Sequence, residues 1–271
     1  MNPQTLSTEL LDTCPVCGVL APPPFLQVED NYLEQLQLRR CVYCHTVFLN
    51  PRLTPEAVVQ VENASTVYDY TPEQIATVVG EQLPPVVRWI AGHGQSQGKR
   101  WLDIGCNRGL LLEAARRDGW QVTGVEIAEE AASRARADFG IEVLPSLDKV
   151  PAAARFDVVS AWHVLEHTFD PVGFLQAAAA RLAEGGVLAV QVPSFDFLEE
   201  YRARGQASGL LCAVHNFYFT LESLRGVIER SNLYALHLEN NAEYLLLTAI
   251  ATRQAPRRGL RERVQGFLRR S

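Results

Sequence analysis

The sequence predicts an α/β protein with a doubly wound, mostly parallel sheet, preceded by a small cysteine-rich unit. Apolar runs of strand length alternate with helical patterns between about residues 99 and 193. A glycine turn joins the first of these strands to its helix, and two pairs of closely spaced cysteines lie within residues 1–50. Strands that alternate with helices imply parallel neighbours and right-handed crossovers. With 271 residues, the chain can form one large domain and a small one.

The first predicted unit, residues 1–50, contains two C-x-x-C pairs, formed by Cys14, Cys17, Cys41 and Cys44. Each pair offers two thiolates from one tight turn, and two such turns complete a tetrahedron around Zn²⁺. A redox site needs only one pair, and disulfides are rare in a reducing compartment. The pattern therefore predicts a zinc ribbon, whose four cysteines leave no open position for catalysis. His45 could replace one ligand but is interpreted as a surface residue.

Residues 51–98 are predicted to connect this unit to the sheet. The stretch from Pro72 to Ile90 is mostly helical in pattern, and Pro84-Pro85 should divide or kink it. Beyond it, Gly92 to Gly98 reads as a flexible entry to the first strand.

A βαβ unit follows between Lys99 and Glu126. Trp101 to Ile104 reads as a buried strand, and Gly105 and Gly109 mark the turn into a helix. A second strand, Gln121 to Val125, ends in the acid Glu126. Strand, glycine turn, helix, strand and acid together indicate a nucleotide-binding unit.

The glycine loop narrows the class of cofactor. A dinucleotide site favours G-x-G-x-x-G, because backbone amides must close on a pyrophosphate. The loop here has Asn107 between Gly105 and Gly109, with no glycine in the middle. Asp103 precedes the first glycine, where a carboxylate would repel a phosphate and suit a cation. The loop therefore favours a cationic cofactor over NAD.

The run D-I-G-C-N-R-G resembles motif I, D/E-x-G-x-G-x-G, of class I S-adenosylmethionine (SAM)-dependent methyltransferases. Asn107 replaces the middle glycine, and Asn tolerates left-handed backbone better than most residues. In that family the loop passes the methionine part of SAM, and the acid ending the second strand holds the ribose hydroxyls. The resemblance assigns cofactor binding to Asp103, Gly105, Cys106, Asn107, Gly109, Glu126, Ile127 and His163.

The same family resemblance extends through the rest of the sheet. The segments at Phe156–Trp162 and Val187–Val192 are similar to its fourth-strand and fifth-strand motifs. We therefore expect a Rossmann-like, seven-stranded methyltransferase sheet over residues 99–252, closed by an antiparallel pair. Residues 51–98 would form a helical linker or a lid over the cofactor. The other predicted elements are helices at 128–139, 171–182 and 221–229, and strands at 141–144, 234–238 and 244–251.

The run His163-Val164-Leu165-Glu166-His167 also fits H-x-x-E-H, an inverted zinc-protease pattern. Protease chemistry needs both histidines one turn apart on a helix, whereas this run directly follows a strand. Open α/β sheets bind ligands at the carboxyl ends of their strands. His163 is thus expected near the cofactor, and Glu166 or His167 near the acceptor. His167 either takes part in catalysis or only orients the loop.

His215 opens the run H-N-F-Y-F-T-L-E-S-L, which resembles a segment after the fifth strand of many bacterial methyltransferases with an N-terminal zinc knuckle. Some of those enzymes C-methylate nucleotide-linked keto-sugars. The resemblance implies SAM-dependent methylation of a small-molecule acceptor, with a sugar or nucleotide-sugar as the candidate. His215, His167 and Glu166 are the candidate bases. The alternative is a zinc-ribbon binding module with an inert Rossmann domain.

Charge and hydropathy limit the partners. The net charge of −6 gives no general attraction to nucleic acid. Neither a signal peptide nor a membrane span is evident, so a cytoplasmic location is expected. Residues 253–271 form a basic tail with seven arginines, and Leu260, Val264, Phe267 and Leu268 share one helical face. Such a tail could contact an anionic surface or a partner.

Overall fold

The computed structural model describes residues 6–30, 32–64 and 70–255 of the chain. Most of the predicted basic tail, from residue 256 onward, lies outside these residues. Within them, no helix combines the length and apolar character needed to cross a membrane.

The N-terminal part contains five short strands. They are β1 (Thr8–Glu9), β2 (Leu26–Asp30), β3 (Glu34–Arg40), β4 (Val47–Leu49) and β5 (Arg52–Leu53). β2, β3 and β4 form an antiparallel meander, and β1 pairs with β5. Leu36 and Leu38 of β3 alternate with polar residues and are fully buried. This alternation places one face of the meander on a core.

Helices connect this part to the main sheet. They are α1 (Pro55–Ala64), α2 (Pro72–Thr77) and α3 (Leu83–Ala91), with a five-residue π-helix at Val78–Gln82 between α2 and α3. The predicted division of this stretch lies just before Pro84-Pro85. Both prolines lie in the first turn of α3, which continues directly from the π-helix, and proline has no N–H to donate to the preceding turn. The regular hydrogen-bond pattern therefore changes on their N-terminal side.

The remaining elements build the α/β sheet. Its helices are α4 (Leu110–Arg117), α5 (Glu129–Phe139), α6 (Pro171–Ala179), α7 (Leu198–Ala203), α8 (Ala207–Leu210) and α9 (Leu221–Arg230). The strands are β6 (Arg100–Ile104), β7 (Gln121–Val125), β8 (Glu142–Leu144), β9 (Phe156–Trp162), β10 (Leu182–Pro193), β11 (Phe217–Tyr218), β12 (Tyr234–Asn241) and β13 (Leu246–Thr252).

Seven strands form the main sheet in the order β12-β13-β10-β9-β6-β7-β8. Five neighbouring strands run parallel to one another: β10, β9, β6, β7 and β8. Strand β13 is antiparallel to both β10 and β12. Neighbouring residues of the central strands enter different cores: Trp101 and Val158 pack on one face, Leu102 and Val159 on the other. The predicted doubly wound α/β sheet is thus confirmed.

One predicted helix boundary is wrong. Helix α6 was expected to run to Leu182 and to end at Gly185-Gly186, but it ends at Ala179. The two glycines belong to β10, whose register against β9 shifts between Leu182 and Val187. A Cβ at Gly186 would lie 3.0 Å from backbone oxygens of β9. The glycines therefore allow the two backbones to approach closely at a bulge. In the sequence alone, such a glycine pair looks the same as a helix stop.

The short strand β11 connects the two parts of the molecule. It pairs antiparallel with β4, so the N-terminal sheet has the order β11-β4-β3-β2. Phe48, Phe217 and Phe219 are buried in one apolar cluster, which also contains Cys14 and Cys41. The predicted domain limits at residues 50, 98 and 252 stay predictions, but strand pairing ties the first unit to the third.

We predict that Phe48→Ala lowers the free energy of unfolding by about 3–5 kcal/mol, because it leaves a cavity between β4 and β11. Urea denaturation would measure the change. The matched control Tyr244→Ala alters a side chain that is 65% exposed and should cost less than about 0.5 kcal/mol. Equal effects of both substitutions would contradict this account of the core.

Candidate functional site

The site lies at the carboxyl ends of β6 and β9, where the strand order of the sheet reverses. From β6, the chain adds β7 and β8 on one side, and β9 and β10 on the other. Loops leave such a switch point in opposite directions and open a crevice between them. The predicted glycine loop follows β6, and the predicted H-x-x-E-H run follows β9. The topology therefore brings both motifs to one crevice.

The glycine loop has left-handed backbone at three positions: Gly105 (φ 73°), Asn107 (φ 47°) and Gly109 (φ 76°). A Cβ on Gly105 would lie 2.4 Å from Cγ2 of Val164, so the loop touches the segment after β9. Asn107 adopts the left-handed conformation that its side chain tolerates, and its Oδ1 accepts the N–H of Arg108 at 2.7 Å. The turn thus forms without the middle glycine.

Glu126 directly follows β7 and is held beside this loop. Its Oε2 accepts the N–H of Asn107 at 2.9 Å, and its Oε1 accepts the N–H of Ala128 at 2.8 Å. Each carboxylate oxygen keeps a second lone pair. The carboxylate is therefore fixed and can still accept hydrogen bonds from two hydroxyl groups. Ile127, the next predicted contact, is exposed.

Asp103 is buried near the end of β6. Its Oδ1 accepts the hydroxyl of Ser160 at 2.5 Å, and Ser160 accepts the indole N–H of Trp101 at 2.8 Å. Burial raises the pKa of Asp103 to about 7. The hydrogen bond from Ser160 lowers this pKa, and the nearby charge of Glu126 raises it further. Two acids close together in a buried loop favour a cationic ligand, as the sequence suggests.

Cys106 is the remaining predicted residue of the loop. Its thiol packs over Gly124, where a Cβ would lie 2.6 Å from Sγ. Burial raises the pKa of Cys106, so the side chain is an uncharged thiol. The thiol packs against β7.

The H-x-x-E-H run is a loop that ends in a 3₁₀ turn at Leu165–His167. His163 has a positive φ of 55°, and its side chain is 48% exposed. Glu166 is 1% exposed, and Nδ1 of His163 lies 3.5 Å from its Oε1. The run therefore does not have the helix that a protease of this pattern requires.

His215 lies just before β11 and is buried. Its Nδ1–H donates to the carbonyl of Leu210 at 2.6 Å, and its ring centroid is 4.7 Å from that of His167. Burial lowers the pKa of His215 to about 4. One possible ligand atom from each of Glu166, His167 and His215 lies within 4.8 Å of the others. The structure thus brings all three predicted base candidates together, and we call them the Glu-His-His cluster.

The four cysteines of the N-terminal unit also converge. Sγ of Cys14 lies 3.6 Å from Sγ of Cys44, and Sγ of Cys17 lies 3.5 Å from Sγ of Cys41. Zinc–sulfur bonds of about 2.3 Å in a tetrahedron require sulfur atoms roughly 3.8 Å apart. The arrangement fits a four-cysteine metal site without rearrangement.

The two knuckles have the same backbone geometry. Gly18 N–H donates to the carbonyl of Cys14 at 2.9 Å, and His45 N–H donates to that of Cys41 at 3.1 Å. Both Gly18 and His45 have positive φ. His45 therefore occupies the turn position that glycine fills in the first knuckle, and its side chain does not belong to the converging group.

Three residues that hold the site were missed in the sequence. Ser160 and Trp101 orient Asp103, while Asn216 donates from Nδ2 to the carbonyls of His167 and Thr168 at 3.0 and 3.3 Å. A serine inside the apolar strand FDVVSAW was the available signal for Ser160, since buried hydroxyls need partners. The role of Asn216 depends on contacts distant in sequence, which no local pattern indicates.

A switch-point crevice with this glycine loop, and an acid at the end of the second strand, defines the class I methyltransferase architecture. A family model described as "Methyltransferase domain" matches residues 79–238, more than half of the chain. The chain therefore belongs to this methyltransferase family.

Solved structures share the fold. An S-adenosylmethionine-dependent methyltransferase from Clostridium acetobutylicum ATCC 824 aligns with a TM-score of 0.54 and 12% identity, over 68% of this chain and 98% of that one. Magnesium protoporphyrin IX methyltransferase from Synechocystis PCC 6803, solved with bound SAH, aligns with a TM-score of 0.51 and 16% identity, over 72% and 93%. At these identities the likeness concerns the fold alone.

A curated relative is more similar in sequence over a shorter region. The ubiquinone biosynthesis O-methyltransferase of Stutzerimonas stutzeri (strain A1501) is 36% identical over 111 residues. That match covers 38% of this chain and 48% of the relative, so the chain spans about half the length of the relative.

We predict that Gly105→Ala destabilises the protein more than Gly140→Ala does. Both glycines have positive φ, and each substitution should cost about 1–2 kcal/mol of unfolding free energy in backbone strain. Only at Gly105 does a Cβ also collide with Val164, which should add about 1–3 kcal/mol. Urea denaturation of both variants gives the difference, and equal losses would show that the loop does not contact Val164.

Proposed function

We propose that the protein transfers a methyl group from SAM to a small-molecule acceptor. The observation that carries this proposal is the fixed carboxylate of Glu126, which two backbone N–H groups hold beside the glycine loop. This is the geometry needed to accept hydrogen bonds from two adjacent ribose hydroxyls. Membership of the methyltransferase family supports the same cofactor.

The residues of the loop would divide the cofactor contacts. Glu126 would accept the ribose hydroxyls, and Gly105, without a side chain, would allow the backbone to approach the methionine part. Asp103 and Glu126 together supply negative charge near a cationic group. When bound, SAM supplies an electrophilic methyl group on a positively charged sulfonium. These residues would hold and orient it, while the crevice limits access of water.

The acceptor would lie toward the Glu-His-His cluster, and His163 stays a predicted cofactor contact. The two carboxylate oxygens of Glu166 and Oδ1 of Asn216 are buried and have no hydrogen-bond partner among the described residues. Buried polar atoms are normally paired, so these atoms suit a ligand with several hydroxyl groups. This observation favours a sugar or nucleotide-sugar acceptor, whereas the names of the curated relatives suggest a ubiquinone precursor.

The transfer would form a bond from the acceptor to the methyl carbon and break the carbon–sulfur bond, leaving its electron pair on sulfur. The acceptor must also lose a proton. His215 donates its Nδ1–H to the carbonyl of Leu210, so the lone pair of its imidazole is on Nε2. The cluster therefore provides the basic groups beside the acceptor.

We also propose that Cys14, Cys17, Cys41 and Cys44 bind a structural Zn²⁺. Their sulfur spacing supports it, and Cys14 and Cys41 belong to the same apolar cluster as Phe48 and Phe217. Removing the metal should thus loosen β4 and β11 together. A cytoplasmic location, the lack of nucleic-acid binding and a contact of the basic tail stay predictions from the sequence.

We predict that the protein binds SAH, and that Glu126→Gln weakens this binding at least about tenfold through loss of charge-assisted hydrogen bonds. Isothermal titration calorimetry measures both affinities. Glu130→Gln changes an exposed acid on α5 and should bind as the wild type does. A folded wild-type protein with no affinity for SAH or SAM would instead support the inert binding module.

We predict about one zinc per chain in protein purified without chelators, and loss of that zinc together with a lower melting temperature in Cys17→Ser. Elemental analysis and a thermal melt give the two readouts. Cys212→Ser alters a cysteine outside the converging group and should keep the metal. The zinc ribbon would be contradicted by a wild-type protein that contains no metal and melts at the same temperature as Cys17→Ser.

A further inference from the structure

The carboxylate of Asp103 has one oxygen that is held in place and one that is not. Oδ1 accepts the hydroxyl of Ser160 at 2.5 Å, and the side chain as a whole is buried. Oδ2 makes no hydrogen bond within the described part of the chain, yet it is not fully enclosed. Oδ2 is therefore the atom through which Asp103 can act on a ligand in the crevice.

The hydrogen bonds around Ser160 have a fixed direction. The indole nitrogen of Trp101 can only donate, so the oxygen of Ser160 accepts this bond at 2.8 Å. Ser160 has a single hydroxyl proton, and Oδ1 of Asp103 is much closer to it than the carbonyl of Leu102, which lies 3.5 Å from the hydroxyl oxygen. Ser160 therefore donates to Oδ1, and a proton bound by the carboxyl group of Asp103 must be on Oδ2.

The surroundings of Asp103 favour binding of such a proton. Burial raises the pKa of Asp103 to about 7, the hydrogen bond from Ser160 lowers it, and the charge of Glu126 after β7 raises it. The other titratable group that interacts with Asp103 is Cys106 in the glycine loop, whose pKa is itself raised by burial, so that its thiol is uncharged. The site thus places a second acid beside Asp103, and an added positive charge would shift the balance toward the ionised form.

We propose that Asp103 exchanges a proton with solvent as the cofactor changes its charge, and that Ser160 is the positioning residue that controls this exchange. The proposal rests on the proposed methyl transfer from SAM. The positive sulfonium of SAM stabilises the ionised carboxylate, so binding of SAM releases the proton to solvent. Once the methyl group has left, the sulfur of SAH is neutral, and Asp103 takes up a proton from solvent again.

The pH dependence of this exchange has a definite sign. With a pKa of about 7, Asp103 carries the proton in half of the unliganded molecules at pH 7. SAM binds the ionised form, so its affinity should rise about tenfold between pH 6 and pH 8, as linkage to one proton requires. SAH has no sulfonium and should show little of this rise. Both ligands have the same amino and carboxyl groups, so the difference between them isolates the effect of the sulfonium.

The first test uses the full-length wild-type protein. Calorimetric titrations with SAM and with SAH at pH 7, each in phosphate and in Tris, give the number of protons released on binding. SAM should release about half a proton more than SAH does. Titrations at pH 6, 7 and 8 give the ratio of the two affinities, which should change about tenfold in favour of SAM as the pH rises.

Two variants assign the proton and its control. Asp103→Asn has no proton to lose, so SAM and SAH should release equal numbers of protons, and the ratio of their affinities should not depend on pH. Ser160→Ala removes the hydrogen bond that stabilises the ionised carboxylate. It should lower the affinity for SAM relative to SAH at least about fivefold at pH 7, and move the rise to higher pH.

The matched control removes a buried hydroxyl elsewhere. Ser231 is buried at the end of α9, donates to the carbonyl of Val227 at 2.8 Å, and does not contact the crevice residues described above. Ser231→Ala should keep the wild-type pH profile. A thermal melt shows that each variant is folded. Ser160→Cys, which has a similar size but donates only weakly, replaces Ser160→Ala if that variant does not fold.

The outcomes separate this proposal from the proposed function. A wild type that binds SAM and SAH with equal proton release, at a ratio of affinities that is constant from pH 6 to pH 8, overturns the exchange and leaves methyl transfer intact. An unchanged pH profile in folded Ser160→Ala or Ser160→Cys overturns the role of Ser160. A folded wild type that binds neither ligand overturns both proposals.

Discussion

The hydrogen bond from Ser160 to the buried carboxylate of Asp103 is the contact on which the site depends. It joins β6 and β9 at the point where the strand order reverses, and Asp103 and Ser160 are direct partners in the parallel register. Burying an unpaired carboxylate here would cost several kcal/mol of folding free energy. A shifted register would break this pair, so the polar contact fixes how the two loops above it meet.

The N-terminal unit supports the site from the other side. The second knuckle leads directly into β4, which pairs with β11. The carbonyl of Asn216, next to His215, accepts the N–H of Leu49 at 3.0 Å. The cysteine cluster thus fixes the strand that positions His215. The proposed zinc would influence the acceptor site through packing, because β4 and β11 cannot separate without opening the buried aromatic cluster.

Sequence patterns predicted those helices, strands and turns whose conformation depends mainly on neighbouring residues. Strands β7 and β9 have the bounds that their apolar runs indicate, and the glycine loop adopts the backbone that its residues favour. Contacts between distant residues were not visible. The pairing of β11 with β4 and the role of Gly186 both depend on where another strand lies, which sequence periodicity does not encode. Residue types suggested the candidate residues, which stay predictions, while their contacts depend on the tertiary fold.

The H-x-x-E-H run shows, within one motif, the difference between a local sequence pattern and contacts made in the tertiary fold. Read as a helix, it would pair His163 with His167. In the structure, His163 has a positive φ, its side chain is half-exposed, and its Nδ1 lies 3.5 Å from Oε1 of Glu166. His167 instead lies beside His215, with ring centroids 4.7 Å apart. The segment before β11 that carries His215 also provides the carbonyl of Val214, which lies 3.2 Å from Nδ1 of His167. Two groups of buried carboxylates thus flank the crevice: Asp103 and Glu126 at the glycine loop, and Glu166 at the cluster. On the proposed function, the positively charged sulfonium of SAM balances the first group until the methyl group leaves. The positive charge that is lost in the reaction therefore lies beside Asp103 and Glu126, at the glycine loop.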